Sequence, residues 1–120
     1  GFMIERVFPV TQSDKKTIEV VVDDDHAMIN HIVLAKGDAV PEHDSNSNVY
    51  LIVARGEMTI ALGPQEAQVY PAGRILAVPY QTRMRISNAG EQALEFFVVK
   101  APNPKVLLKE SGKAKKSGGA

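Results

Sequence analysis

Short runs of β-branched and aliphatic residues recur roughly every ten positions through most of the chain, and this pattern constrains its fold more than any other. The breaks between runs carry an acidic turn at 23–25 and several glycine-containing turns. No window of eleven or more residues in this region repeats apolar positions at helical spacing. The pattern predicts an all-β sandwich or barrel with strands at 17–22, 27–35, 49–54, 58–62, 67–70, 75–79, 83–87 and 93–100.

The chain length fits one domain followed by a basic tail. With 120 residues, 44% of them hydrophobic, the chain can build a single core. Residues 105–120 carry five lysines against Glu110, a net charge of +4, which leaves nine basic and thirteen acidic groups, or −4, for residues 1–104. We predict a β-barrel domain over 1–104 and a Lys-rich, flexible tail over 105–120. Residues 104–109 are compatible with a last turn or a short helix.

Composition excludes several classes of function. No apolar run approaches the roughly 20 residues that span a bilayer, and the first residues lack the pattern of a signal peptide. The absence of cysteine excludes disulfides, thiolate zinc sites and thiol catalysis. The mildly acidic body is a poor candidate for nucleic-acid binding. The chain has neither a Gly-rich phosphate loop between a strand and a helix nor a G-x-S-x-G elbow, and no carboxylate pair lies near the residues that we predict below to form a pocket. Nucleotide binding, serine hydrolysis and glycoside hydrolysis are therefore not leading functions. We expect a cytoplasmic protein that binds neither nucleic acid nor membrane.

Two segments have a regular spacing of glycines with candidate site residues between them. In the first, Gly37 is followed by five residues and His43, one residue and Ser45, three residues and Val49, and six residues and Gly56.

Sixteen residues separate the end of the first segment, Gly56, from the start of the second, Gly73. Gly73 is followed by five residues and Pro79, one residue and Gln81, two residues and Met84, and three residues and Asn88.

Together the two segments resemble the two motifs of the cupin superfamily, G-x5-H-x-H-x3-E-x6-G and G-x5-P-x-G-x2-H-x3-N. Five of the six scaffold positions match, and the sixth carries Gln81 in place of glycine. The resemblance covers about residues 26–102 and implies a double-stranded β-helix, the jelly-roll cupin barrel. It also implies a homodimer, which is supported by runs such as 49–54 that are apolar on both faces.

The other residues that do not match the two motifs, Ser45, Val49 and Met84, stand at positions that hold metal in that superfamily. There, three histidines and a glutamate bind a divalent transition ion. The corresponding residues here are His43, Ser45, Val49 and Met84. Valine has no donor atom, a neutral serine hydroxyl is a poor ligand, and a thioether prefers soft ions. We therefore predict no metal and no other cofactor, and a mostly apolar pocket that binds a small-molecule ligand at these four residues.

Three functions stay open for this pocket, and the sequence assigns no catalytic residue. The first is a metal-free binding or sensory module for a small organic molecule. The second is a cupin-type enzyme, an isomerase, lyase or dioxygenase acting on a small acid or sugar, with His43 as acid/base or as a metal ligand. The third is a structural or protein-interaction role with the pocket closed by side chains.

Neighbouring polar residues are predicted to lie outside the pocket. His26 and His31 are five apart, so on a regular strand they face opposite sides, and we expect one surface and one packed histidine. Arg83 and Arg85 alternate with Met84 and should therefore point away from the interior.

Overall fold

Two antiparallel β-sheets packed face to face form the body of the protein. The structure, a computed structural model, describes residues 1–118. Its elements are β1 (Thr17–Asp23), β2 (Met28–Leu34), β3 (His43–Asp44), β4 (Val49–Arg55), β5 (Glu57–Leu62), β6 (Gln68–Pro71), β7 (Ile75–Val78), β8 (Arg83–Ser87), β9 (Leu94–Lys100) and α1 (Pro104–Gly118). One sheet has the strand order β1-β2-β9-β4-β7 and the other β3-β8-β5-β6. This arrangement confirms the predicted double-stranded β-helix.

The strands lie where the sequence predicts them. Each of the eight predicted runs contains a strand whose ends differ from the prediction by no more than one residue. The strand that was not predicted is β3, which consists of His43 and Asp44 alone. These two residues belong to no β-branched or aromatic run, so the pattern carries no signal for them.

Alternation along the strands divides side chains between the core and the outer faces. In β9, Leu94, Phe96 and Val98 face the interior and are at most 6% exposed. Burial of each such side chain contributes roughly 1.5–3 kcal/mol. The buried apolar core of the described residues consists of Ile32, Leu34, Val49, Leu51, Val53, Met58, Ile60, Val78, Met84, Ile86, Leu94, Phe96 and Val98.

Gly56 lets the chain pass directly from one sheet to the other. It separates β4 of the five-stranded sheet from β5 of the four-stranded sheet, with φ of 76°. A Cβ atom at this position would lie 2.4 Å from the carbonyl oxygen of Ala93. Both the left-handed backbone and this close approach require glycine.

A buried histidine joins three strands on the outer face of the five-stranded sheet. The side chain of His31 in β2 is fully buried, and its ring nitrogens lie 2.7 Å from Glu19 and 2.6 Å from Glu95. Ionised carboxylates only accept hydrogen bonds, so this geometry suits a protonated ring that donates to both. The ring also packs against Phe97, with centroids 5.0 Å apart. His31 is the packed histidine of the predicted pair, and His26 lies exposed in the turn between β1 and β2.

Glu19 and Arg55 extend this network to the segment that precedes β1. The Glu19 carboxylate accepts hydrogen bonds from the backbone nitrogen and the hydroxyl of Thr11, each 2.9 Å long. Arg55 donates to the carbonyl oxygen of Ser13 at 2.8 Å. The hydrogen bond from the Thr11 backbone and the one from His31 hold the pKa of Glu19 below its ordinary value. The N-terminal segment is thereby fastened to the barrel.

Asn103 caps the C-terminal helix and fastens it to the acidic turn between β1 and β2. Its Oδ1 accepts a hydrogen bond from the backbone nitrogen of Lys105 at 3.0 Å, and Pro104 takes the first helical position. Its Nδ2 donates to Asp23 at 2.7 Å.

Helix α1 extends past the short helix that the sequence predicts at 104–109 and continues as far as Gly118. Alanine and lysine, which are frequent after residue 112, are good helix formers. Residues 119–120 of the predicted tail lie outside the described residues. No helix in the described part of the chain is long and apolar enough to cross a membrane.

We predict that Gly56→Ala destabilises the protein more than Gly73→Ala does. Both glycines have positive φ, but a Cβ at Gly73 would meet no atom within 4 Å. The free energy of unfolding should fall by about 1 kcal/mol in Gly73→Ala from the backbone conformation alone, and by a further 1–3 kcal/mol or so in Gly56→Ala from the clash. Urea unfolding measures both, and equal losses would contradict the close approach of Gly56 to Ala93.

A second prediction concerns the acid stability that Glu19 supplies. Because its pKa in the folded protein is depressed, ionised Glu19 stabilises the fold at neutral pH, and this contribution is lost as pH falls through the folded pKa. Glu19→Gln should lower the free energy of unfolding at pH 7 and weaken its dependence on pH in the acid range. Urea unfolding across that range tests this, with the exposed Glu66→Gln as a control expected to match the wild type. An unchanged acid dependence in Glu19→Gln would refute the role of this carboxylate.

Candidate functional site

The two sheets part at one end of the barrel and leave a cleft of about 200 Å³. On one side, Ile18 of β1 and Asn30 of β2 line the opening. The other side of the opening is lined by Val40 and Pro41, which precede β3, and by His43, the first residue of β3. Because β1 and β3 are edge strands of their sheets, this end of the interior is open to solvent.

The floor of the cleft is apolar. It is formed by inward-facing side chains of β2, β4, β8 and β9, namely Ile32, Leu51, Met84, Ile86, Phe96 and Val98. Asn30, His43 and Lys100 are the polar residues of the lining. An apolar body with a few polar groups at its edge is typical of small-molecule sites.

His43 lies at the rim of the cleft and is exposed. Its Nδ1 lies 2.8 Å from the carbonyl oxygen of Pro41. A carbonyl only accepts, so Nδ1 carries a proton and donates to it, which leaves Nε2 of the neutral ring as an acceptor. Among the described residues, this contact is the one hydrogen bond that the His43 ring makes.

Ser45 is buried but does not line the cleft. Its hydroxyl donates to the carbonyl oxygen of Pro79 at 2.5 Å and accepts from the backbone nitrogen of Thr82 at 2.8 Å. Its carbonyl oxygen accepts from the backbone nitrogen of Gln81 at 2.9 Å. Ser45 thus holds the turn before β8, in which Gln81 takes the positive φ of 63° at the place where the second motif has glycine.

Val49 and Met84 are core residues. Val49 is 1% exposed and lies opposite Lys100 in the register of β4 with β9, outside the cleft lining. Met84 is 2% exposed, and its side chain forms part of the cleft floor. Of the four predicted site residues, the structure therefore brings His43 and Met84 to the cleft, whereas Ser45 and Val49 lie behind its wall.

The residues at the four motif positions do not fit the divalent metal ion that the motif resemblance implies. The Ser45 hydroxyl is engaged by two backbone groups, and Val49 has no donor atom. A thioether such as that of Met84 prefers soft ions. In residues 1–118, no group of three or more His, Cys, Asp or Glu side chains is arranged to hold a metal ion. His43 is the one ordinary ligand at the motif positions, where a metal site needs about three.

The arginines that flank Met84 point away from the interior, as predicted. Both Arg83 and Arg85 are exposed. Arg83 forms ion pairs with Glu42 at 3.0 Å and Asp44 at 3.4 Å. The hydrogen bond from Arg83 to Glu42 is the main cause that raises the pKa of Arg83 above its ordinary value. These contacts fasten β3 and the segment before it to β8.

Sequence reasoning missed the two polar residues Asn30 and Lys100 of the cleft lining. The signal was available in the strand alternation, because Lys100 has the same parity as Leu94, Phe96 and Val98 in β9. Asn30 likewise has the parity of Ile32 in β2. Both polar residues therefore face inward at the open end of the barrel.

Neither polar group of this pair has a hydrogen-bond partner among the described residues. Asn30 Oδ1 is buried and has no hydrogen-bond partner in the described part of the chain, where it is the one buried side-chain nitrogen or oxygen atom in this condition. Lys100 Nζ makes no hydrogen bond or ion pair with any described residue, and burial lowers the pKa of this amine below its ordinary value.

Comparison with known proteins identifies one close relative. No protein-family model matches the chain. An uncharacterized protein of Methanocaldococcus jannaschii is 48% identical over 106 residues, which cover 88% of this chain and 91% of the relative. The crystal structure of an RmlC-like cupin family protein with a double-stranded β-helix fold from the same organism is 47% identical, with a TM-score of 0.84 over 88% of this chain and 98% of that one.

More distant solved structures share the fold. The cupin domain of Schizosaccharomyces pombe Cnp3 has a TM-score of 0.71 at 14% identity, covering 86% of this chain and 75% of that one. A cupin superfamily protein of Desulfitobacterium hafniense has a TM-score of 0.65 at 15% identity, covering 78% and 83% of the two chains. At such identities the likeness concerns the fold alone. The match to the archaeal relative is far closer and extends over most of both chains, and on it the chain belongs to the cupin superfamily.

Proposed function

We propose that this protein is a metal-independent binding module that holds a small organic molecule in the cleft at the open end of its barrel. The observation that carries the proposal is the cleft of about 200 Å³ whose floor is formed by six buried apolar side chains. Side chains of this kind tend to pack against one another, and an open space among them is suited to an apolar guest.

The donor chemistry of the motif positions supports binding without metal. Ser45 is engaged by two backbone groups, and Val49 and Met84 contribute to the core. The open cleft also argues against a vestigial pocket closed by side chains.

The alternative of a cupin-type enzyme with His43 as acid/base finds less support in the geometry. General acid/base catalysis needs an imidazole that is oriented toward the reacting group, commonly by a polar side chain. The one hydrogen bond of the His43 ring in the described residues goes to the backbone carbonyl of Pro41, two residues earlier. The binding module is therefore the better supported function.

We also propose that two copies of the chain associate through the outer face of the five-stranded sheet. Across β9, β4 and β7, this face presents the apolar side chains of Phe97, Val99, Ile52, Tyr50, Ile75 and Ala77. Tyr50 is 47% exposed and Ile75 is 66% exposed. Monomeric proteins rarely expose a continuous apolar patch of this kind, and a second copy offers a self-complementary surface.

For ligand binding, we predict that Ile18→Trp blocks the cleft. Ile18 stands at the mouth and is 53% exposed, so an indole can cover the opening without disturbing the core. Fluorobenzene, a neutral apolar probe, should bind the wild type and bind Ile18→Trp at least roughly tenfold more weakly, as measured by ¹⁹F NMR titration.

The matched control is Val69→Trp. Val69 lies in β6 of the other sheet, away from the cleft lining, and is 55% exposed. This variant should bind fluorobenzene like the wild type. Failure of the wild type to bind, or equal binding by Ile18→Trp, would overturn the proposed function.

For association, we predict that Ile75→Arg shifts the protein from dimer to monomer. A charged side chain placed in an apolar interface is desolvated without a partner. Sedimentation velocity measures the mass in solution, and Val69→Arg should remain dimeric as the control. A monomeric wild type would contradict the proposed interface.

A further inference from the structure

We infer that the ligand of this cleft is a small monocarboxylate that combines an apolar body, a carboxylate held by Lys100 and a hydrogen-bond donor held by Asn30. The inference rests on the proposed binding function and specifies the chemistry of the molecule bound. It is carried by two polar groups that have no partner among the described residues and lie on neighbouring strands in the lining of the cleft.

The first group is the ammonium of Lys100. The inner face of β9 ends in this residue, directly after the apolar floor formed by Phe96 and Val98. Its neighbours across the two strand pairs are Met28 and Val49, neither of which carries a charge. A partly desolvated cation without a counter-ion gains from an anion that the ligand brings.

The second group is the side-chain amide of Asn30. Its buried Oδ1 has two lone pairs and no donor among the described residues. An unsatisfied buried acceptor reduces stability, so a hydroxyl or amine on the ligand that donates to it restores a lost hydrogen bond.

The sheet fixes the relative position of these two groups. Asn30 lies opposite Val98, and Lys100 lies two residues further along β9 on the same inner face. Diagonal neighbours of this kind are roughly 7–8 Å apart at the backbone. Both residues line the cleft, and a benzene ring that carries a carboxylate at one end and a donor at the other can lie on the apolar floor beside them.

The experiment compares four small probes by NMR titration of the ¹⁵N-labelled protein. Benzoate should bind at least about tenfold more tightly than neutral benzamide, since a hydrogen bond to a charged group contributes more than a neutral one. The added hydroxyl of 4-hydroxybenzoate should tighten binding by about fivefold over benzoate. Fluorobenzene carries neither a carboxylate nor a hydroxyl, so its affinity measures binding to the apolar part of the cleft alone.

Two variants assign these preferences to residues. Lys100→Met should bind benzoate and benzamide equally, whereas Lys100→Arg should keep the preference for benzoate. Asn30→Leu should bind 4-hydroxybenzoate no more tightly than benzoate. Lys105→Met serves as the control, because Lys105 is exposed and pairs with Asp23 outside the cleft. Neither Lys100→Met nor Asn30→Leu should unfold the protein, since each replaces a polar group that has no partner among the described residues.

The outcomes separate this inference from the function on which it rests. If fluorobenzene binds the wild type but benzoate and benzamide bind equally, or if Lys100→Met keeps the benzoate preference, the carboxylate inference is overturned and the binding module survives. Loss of the preference in Lys100→Met, with fluorobenzene binding retained, supports both.

Discussion

The closure of two sheets over one apolar core determines the rest of this structure. Strand alternation sends Leu94, Phe96 and Val98 of β9 into that core, and the same alternation turns Lys100 inward at the strand's last residue. In β2 it turns Asn30 inward in the same way. Because the edge strands β1 and β3 do not meet at this end, Asn30 and Lys100 line the mouth of the barrel, where Oδ1 of Asn30 is itself buried. The candidate site therefore lies where the apolar core ends and inward-facing polar residues begin.

Three of the four positions that hold metal elsewhere in the cupin superfamily serve the architecture in this chain. Ser45 secures the turn before β8 through Pro79 and Thr82, while Val49 and Met84 add to the core. On the outer face, His31 between Glu19 and Glu95 fastens the N-terminal segment to the sheet. The barrel therefore keeps its scaffold, while its mouth offers the apolar floor and the ammonium of Lys100 on which the proposed recognition of an organic anion rests.

The sequence predicts the fold closely because strand alternation and turn residues are local signals. It predicts the approximate location of the site, since motif spacing leads to His43 and Met84, both of which line the cleft. It does not predict that Ser45 is engaged by Pro79 and Thr82, because that contact joins residues more than thirty positions apart. The lack of a protein partner for Lys100 and for Asn30 Oδ1 likewise depends on which side chains stand opposite them after folding.

The most direct test of this account is an NMR titration of the Lys100 side chain, with ¹³C-labelled lysine and the Lys100→Arg variant to assign its signal. In the free protein, Lys100 should titrate below the ordinary range of lysine, because burial penalises its charged form. Saturation with 4-hydroxybenzoate should move that titration upward, because an adjacent carboxylate favours the ammonium. A Lys100 that titrates in the ordinary range, and that does not respond to the carboxylate, would contradict the account.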